Sequence, residues 1–186
     1  TDLSSCYKIK VSDKDLSNLL SGNNITGRNN SIIFPSDKFT NKLELNRYTF
    51  KNGKINIYTT KKTKVRFDLN YDKIKIELNN LNDWVLIKDS DLSNLDIEVK
   101  GSRLDSLNSN STVHGKRIND YGFTGCLTIH SSLFDDTNIT MEDSSCEDSI
   151  NIVNSSGKIN KIKSLNSFAD ALDIDFSNVE ISKVEI

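Results

Sequence analysis

The chain has 186 residues, of which 35% are hydrophobic and 27% are charged, and its formal net charge is −2. No run of residues is apolar enough to cross a membrane, so no membrane span is expected. A balanced charge without a concentrated basic face argues against nucleic acid as a partner. The hydrophobic content is low for a compact globule but suits a solenoid, whose core is a narrow column.

Residues 1–80 are predicted to form a β-rich cap region that contains one short helix. Ser12 and Asp15 resemble a capping box, and the leucines that follow lie on one face, so we expect the helix at about 12–21. A helix in this place could cover the open core of a solenoid.

Alternating runs follow between residues 31 and 80, and each predicts a strand. Asn52-Gly53 lies between two of these runs and is a strong hairpin signal. Two arrangements fit the pattern: an antiparallel meander ahead of the solenoid, or early irregular coils. The predicted strands are 31–34, 42–50, 54–58, 64–68 and 73–78.

Residues 81–186 are predicted to form the coils of a parallel β-helix. Residues 145–162 align without a gap on residues 167–184 at a spacing of 22, and Ile152 falls on Ile174. A period of 20 to 25 residues with short β-like runs is typical of a solenoid.

An earlier pair of segments extends the repeat, because residues 84–99 superimpose on 126–141 at an offset of 42. Forty-two residues correspond to two coils of about 21. The polar stretch 100–122 between them is then either one degenerate coil or a long excursion from the wall. Long excursions from a rigid scaffold often carry function.

The alternation also separates an inner from an outer face. In one sheet, Ile129, Ile152 and Ile174 would share an inner column. Outward side chains of neighbouring coils, about 4.8 Å apart, would form a dense strip. We expect this strip to be the contact face, with binding residues Thr128, His130, Asn151, Asp173 and Asp175.

Several acidic residues lie close to this strip. Asp148 and Asp170 occupy one repeated position and are predicted to fix a corner of the coil rather than to bind a cation. Asp173 and Asp175 are not repeated, and with either of the first two they could supply the carboxylate pair of a glycosidase. A solvated acidic face is the favoured interpretation. His114, beside Lys116 and Arg117 in the excursion, is interpreted as part of a solvated loop.

The three cysteines are Cys6, Cys126 and Cys146. The last two are one coil apart, but the alignment places them about three positions apart along the contour. A disulfide requires closely spaced Cα atoms, so free thiols are predicted and a bridge is the alternative. Their spacing does not match a zinc site, and the sequence predicts no metal and no cofactor.

Three segments carry a resemblance to a known family: 122–134 (GFTGCLTIHSSLF), 146–157 (CEDSINIVNSSG) and 168–181 (FADALDIDFSNVEI). They resemble right-handed parallel β-helix proteins of the pectin-lyase-like type, and most closely bacterial β-helix segments found beside CotH-like domains. The resemblance covers residues 84–186 and implies a right-handed, all-β parallel solenoid. The related hydrolases carry four motifs on successive coils. Two of these motifs have faint counterparts here, at Ala169-Asp170-Ala171 and Glu147-Asp148-Ser149. The other two, Gly-His-Gly and Arg-Xaa-Lys, are absent.

From these patterns we expect a non-catalytic structural or binding module of a bacterial surface or secreted protein, in contact with a glycan or a protein partner. No catalytic residue is assigned. One alternative is a polysaccharide lyase or hydrolase centred on Asp170, Asp173 and Asp175. A second is a subunit that self-associates through its solenoid ends, because an uncovered end exposes strand edges.

Overall fold

The computed structural model describes residues 45–102, 118–119 and 122–186. These residues form an all-β parallel solenoid of about four turns, and no helix occurs among them. The described ranges accordingly hold no helix of the length and apolarity that a membrane span requires. The helix predicted at about 12–21, Cys6 and the His114 cluster lie outside the described residues, and the division at residue 80 stays a prediction.

The described residues form twelve strands in two six-stranded sheets, and from β5 onwards each coil contributes one strand to each sheet. The first sheet has the order β1-β2-β5-β7-β9-β11 and the second β3-β4-β6-β8-β10-β12. The strands are β1 Asn46–Phe50, β2 Ile55–Thr59, β3 Lys64–Asp68, β4 Lys73–Glu77, β5 Val85–Lys88, β6 Asp96–Lys100, β7 Gly125–His130, β8 Leu133–Glu142, β9 Asp148–Val153, β10 Ser156–Leu165, β11 Asp170–Asp175 and β12 Asn178–Glu185.

The 22-residue repeat is confirmed by the strand register. Parallel strands β9 and β11 pair Ile152 with Ile174, and β10 and β12 pair Ile159 with Ile181. The two copies of the repeat therefore stack as neighbouring coils, as the sequence predicted.

The offset of 42 has a different meaning from the one predicted. Strand β5 pairs directly with β7, so that Ile87 meets Ile129, and β6 pairs directly with β8, so that Ile97 meets Ile139. No coil lies between them, and the interpretation of 100–122 as a degenerate coil is wrong. The offset of 42 residues therefore joins two adjacent coils rather than two coils separated by a third.

The first layer of the solenoid is made of two hairpins. The hairpin predicted at Asn52-Gly53 is confirmed: β1 and β2 are antiparallel, and Gly53 N donates to Phe50 O at 3.2 Å. Strands β3 and β4 form the second hairpin. Strand β2 pairs antiparallel with β5, whereas β4 pairs parallel with β6. This region therefore combines an antiparallel meander with the start of the parallel coils.

Aliphatic ladders fill the space between the two sheets. Ile57, Ile87, Ile129 and Ile152 are successive register partners, and all four are 0% exposed. β-Branched side chains suit a pleated, buried surface. Full burial of one such side chain stabilises the fold by about 1.5–3 kcal/mol, so this column alone is a large term in stability.

A ladder of serines fixes one corner of every coil. Each serine hydroxyl accepts a hydrogen bond from a backbone N–H of the coil before it and donates to the carbonyl two residues earlier in its own coil. The N–H bonds run from Asn56 to Ser90 (2.9 Å), from Ser90 to Ser132 (3.3 Å), from Ser132 to Ser155 (3.1 Å) and from Ser155 to Ser177 (3.0 Å). The ladder thereby pairs corner N–H groups that would otherwise be buried without a partner.

Cys126 and Cys146 form a disulfide with a Cα–Cα distance of 5.3 Å, so the prediction of free thiols is wrong. Strict alternation would turn Cys126 away from Leu127, yet both belong to the buried core. Cys146 lies in the bend just before β9, outside the regular strand pairing. Counting positions along the coil therefore separated two thiols that the bend brings together.

Candidate binding face

The five residues predicted to bind a ligand lie in two neighbouring columns of the first sheet. Thr128, Asn151 and Asp173 are successive register partners on β7, β9 and β11. His130 and Asp175 flank Val153 in the adjacent column. The register therefore places the five side chains as the alternation predicted, and their role as ligand contacts stays a prediction.

The outer surface of this sheet is not open along its whole length. Thr128 is 1% exposed and Asn151 4% exposed, and Leu86, the preceding member of their column, is 1% exposed. The end of the excursion lies against this part of the wall, where the rings of Phe123 and Trp84 meet edge to face at 6.2 Å. The expectation of a continuous exposed strip is corrected for Thr128 and Asn151, whereas Asp173, Asp175 and His130 remain partly exposed.

Asn151 links the buried and the exposed parts of this surface. Its Nδ2 donates towards Asp173 Oδ2 at 3.1 Å, Thr124 Oγ1 at 3.2 Å and Asp148 Oδ2 at 3.4 Å. One amide nitrogen thus lies between two carboxylates on successive coils. We expected Asp148 to accept backbone N–H groups at a corner, but the hydrogen bond that it accepts comes from this side chain.

Sequence reasoning therefore missed Asp148 as a member of the cluster. In a regular strand, residues 148 and 151 would point to opposite faces. Asp148 is the first residue of β9, and its Oδ2 nevertheless lies 3.4 Å from Asn151 Nδ2. A contact of this kind leaves no clear mark in a single sequence.

The surroundings of Asp173 disfavour the charged form of its carboxyl group. Burial, and then the nearby carboxylates of Asp175 and Asp148, raise the pKa of Asp173 above its usual value. Two buried polar atoms, the Asn151 Oδ1 acceptor and the Thr128 hydroxyl, have no hydrogen-bond partner among the described residues. Perturbed carboxyl pKa values are concentrated at functional sites.

His130 contributes a neutral ring to the strip. Burial, and then the positive charge of Lys88, lower its pKa, so the imidazole is uncharged at neutral pH. Its Nδ1 lies 2.8 Å from the hydroxyl of Ser131, and one of these atoms donates to the other. His130 can therefore exchange hydrogen bonds with a ligand but adds no positive charge to the acidic face.

Two exposed phenylalanines flank β11. Phe168 is 52% exposed before the strand and Phe176 is 93% exposed after it. Phe176 has φ of 50° in the corner that precedes the serine ladder, where the equivalent residues are Asp89, Ser131 and Asn154. The left-handed region suits those short polar residues and disfavours a bulky aromatic one. A signal for Phe176 was therefore present in the repeat alignment, as an aromatic residue at a polar corner position.

The chemistry of this face favours a polar ligand with an apolar side. Within the described ranges, no three His, Cys, Asp or Glu side chains are grouped so as to hold a metal ion. Carboxylates accept hydrogen bonds from hydroxyl groups, and flat aromatic side chains cover apolar faces. The face thus combines both elements on the rigid wall of a parallel β-solenoid, which is the class of protein that the fold defines. Comparison with protein families, with curated proteins and with solved structures finds no match to this chain.

Proposed function

We propose that this protein is a non-catalytic binding module of a bacterial surface or secreted protein, and that its last coil contacts a neutral glycan. The observation that carries the proposal is the partly exposed acidic strand β11 between the exposed rings of Phe168 and Phe176. Sugars present hydroxyl donors at their edges and C–H groups on their faces. The carboxylates of Asp173 and Asp175 match the first, and the two rings match the second.

The length and charge of the face narrow the ligand class. Residues in a strand rise roughly 3.3 Å each, so the nine positions from Phe168 to Phe176 give room for several sugar rings in a row. The carboxylates of Asp170, Asp173 and Asp175 would repel an anionic polysaccharide. A neutral chain therefore suits the face better than a uronic-acid polymer, and a protein partner is the alternative ligand.

A polysaccharide hydrolase is the second candidate, and the raised pKa of Asp173 favours it. A general acid needs a carboxyl group that keeps its proton towards neutral pH, and a second carboxylate must lie nearby. Asp148 and Asp175 are the neighbours that raise this pKa. Against catalysis, the Gly-His-Gly and Arg-Xaa-Lys motifs of the similar β-helix hydrolases are absent from this sequence.

The proposed compartment and family rest on separate observations. The disulfide between Cys126 and Cys146 suits an oxidising environment such as the cell surface. The parallel coils agree with the resemblance to pectin-lyase-like β-helices and to segments beside CotH-like domains, and that relationship is part of the proposal.

A glycan array probed with the wild type and with Phe176→Asn tests the binding proposal. Asparagine tolerates the left-handed corner, so the variant removes the ring without straining the backbone. Asp89→Asn is the matched control, because it places asparagine at the same corner three coils away from β11. We expect Phe176→Asn and Asp175→Asn to lose binding and the control to keep it.

An assay for reducing-sugar release on the bound glycans separates the two candidates. Release that disappears in Asp173→Asn would establish the hydrolase. Glycan binding without sugar release supports the proposed binding module. The proposal is contradicted if no glycan on the array is bound, or if the Phe176 and Asp175 variants bind as well as the wild type.

A further inference from the structure

One column on the outer face of the second sheet carries charges that alternate in sign from strand to strand. The successive register partners in this column are Lys64, Glu77, Lys100 and Glu142. Opposite charges that face each other across strands stabilise a sheet, and like charges in the same position destabilise it. This column is therefore typical of a solvated, structural face.

The adjacent column departs from this alternation on β3 and β4. Arg66 and Lys75 are direct register partners, and both residues are exposed. Glu98 pairs with Lys75 in the register, but its carboxylate binds Lys73 at 2.8 Å. Within the described ranges, no carboxylate forms an ion pair with Arg66 or Lys75. Two like charges thus lie side by side without compensation, an arrangement that costs stability and suits an anionic partner.

The turn of residues 69–72, which joins β3 to β4 and is called the hairpin tip below, exposes two large side chains. Leu69 is 79% exposed and Tyr71 is 74% exposed. Leu69 follows Arg66 by three residues, so the tip lies about 10 Å along the hairpin from the basic pair. The hairpin therefore presents apolar and basic side chains close together, rather than a single scattered apolar residue.

The carboxylates beside the hairpin tip are already engaged. Asp72 binds Lys51 of the β1–β2 turn at 2.8 Å, and Asp68 accepts a backbone N–H of the tip at 3.0 Å. Residues 46–77 contain nine Lys or Arg and three Asp or Glu, in a chain whose net charge is −2. The surroundings of the tip are therefore distinctly basic.

An anionic lipid surface fits this combination better than a folded protein does. Leucine and tyrosine side chains enter the interfacial layer of a bilayer, and lysine and arginine are attracted to anionic headgroups. A turn of four residues offers far less area than the roughly 800 Å² per partner that a stable protein contact buries. A fluid bilayer accommodates such a turn without a complementary pocket.

We propose that the β3–β4 hairpin docks this protein on a bilayer that contains anionic lipid. The side chains of Leu69 and Tyr71 enter the interfacial layer, and Arg66 and Lys75 bind the lipid phosphates. The contact is peripheral and spans nothing. It uses a different sheet from the β11 face that is proposed to bind a glycan.

Cosedimentation with vesicles of phosphatidylcholine, alone or with added phosphatidylglycerol, tests the role of charge. We expect binding to the anionic vesicles only, and weaker binding as salt screens the charges. Lys75→Gln should weaken partitioning about fivefold, the contribution of one basic side chain near such a surface. Lys158→Gln is the matched control, because it removes the same charge from an exposed lysine on β10 and should bind like the wild type.

Tryptophan fluorescence tests whether the hairpin tip enters the lipid. The only native tryptophan, Trp84, is 4% exposed, so a shift in emission on addition of vesicles reports on a new ring. Leu69→Trp should shift to the blue with anionic vesicles, whereas Leu165→Trp, at the far end of β10, should not. Leu69→Ser should weaken binding about tenfold, because it removes the apolar side chain that leaves water. Thermal unfolding of each variant shows that the fold is kept.

Four results would overturn the proposal. They are no binding to anionic vesicles at low salt, binding by Lys75→Gln and Leu69→Ser equal to that of the wild type, no shift of Leu69→Trp on bound vesicles, and an emission of Leu69→Trp that is already blue before vesicles are added. The last result would mean that a protein contact covers the tip. None of these measurements involves glycan binding by the β11 face, so the two proposals fail independently.

Discussion

The first and last described coils of this solenoid differ in what they expose at equivalent positions. In one outward column of the first sheet, Leu86, Thr128 and Asn151 are all buried. The next member of this column, Asp173, is partly exposed, and its surroundings raise its pKa and so disfavour its charged form. In the inner column, exposure rises from 0% at Ile152 to 38% at Ile174.

The difference teaches that a repeat determines where a side chain lies but not what covers it. Register makes Asp173 the equivalent of Thr128, yet Thr128 is buried and Asp173 reaches solvent. The early coils bury positions that the coil of β11 and β12 exposes, and the following substitutions test this difference.

The largest expected effect is at Ile152 compared with Ile174. Ile152→Ala removes a fully buried side chain between two coils and should lower the free energy of unfolding by about 3–4 kcal/mol. Ile174→Ala, in the same column at the open end, should cost about 1 kcal/mol, because solvent already reaches this site. Urea denaturation of both variants measures the difference, and equal losses would show that the last coil is as well sealed as the others.

Removal of the disulfide should have the next largest effect. The bridge closes a loop of 20 residues within the sealed coils, and the double variant Cys126→Ser, Cys146→Ser should lose about 3 kcal/mol. Cys6→Ser is the control. A thiol titration of the unfolded wild type should find one free thiol without reductant; three free thiols would refute the bridge.

Substitutions in the serine ladder should give a smaller difference in the free energy of unfolding. Ser155→Ala leaves the buried N–H of Ser132 without its acceptor and should cost about 2 kcal/mol. Ser177→Ala removes the last rung, where solvent can replace the lost hydroxyl, and should cost about 1 kcal/mol or less. Hydrogen exchange at the amides of Ser132 and Ser155 reports each loss locally; unchanged exchange at Ser132 would mean that the rung contributes little.

The smallest effect concerns Asp173 and has a definite sign. Because its pKa is raised in the folded state, folding is disfavoured while the carboxylate is charged and gains stability as pH falls through the folded pKa towards 3.8. Asp173→Asn should therefore raise stability at neutral pH by less than about 1 kcal/mol, since solvent screens the site. It should also remove part of the gain on acidification.

Unfolding curves at several pH values, with Asp175→Asn for comparison, check this expectation. A variant less stable than the wild type at neutral pH would mean that the bond from Asn151 to the charged carboxylate outweighs the repulsion.

The sequence by itself determined the repeat and the local elements. A spacing of 22 residues, the alternation around Ile152 and Ile174, and the Asn52-Gly53 turn sufficed for parallel coils, inner columns and a hairpin, because each is a periodic or local consequence of residue type. The register of the five predicted binding residues followed from the same alignment.

Only the tertiary structure decided which of these residues reach solvent and which partners they meet. The burial of Thr128 and Asn151, the disulfide and the link from Asn151 to Asp148 are all contacts made in the folded chain. Such features bring together residues that are neither periodic nor adjacent. A period of two predicts which face a side chain occupies, whereas exposure and contact are settled by the segments that pack against that face.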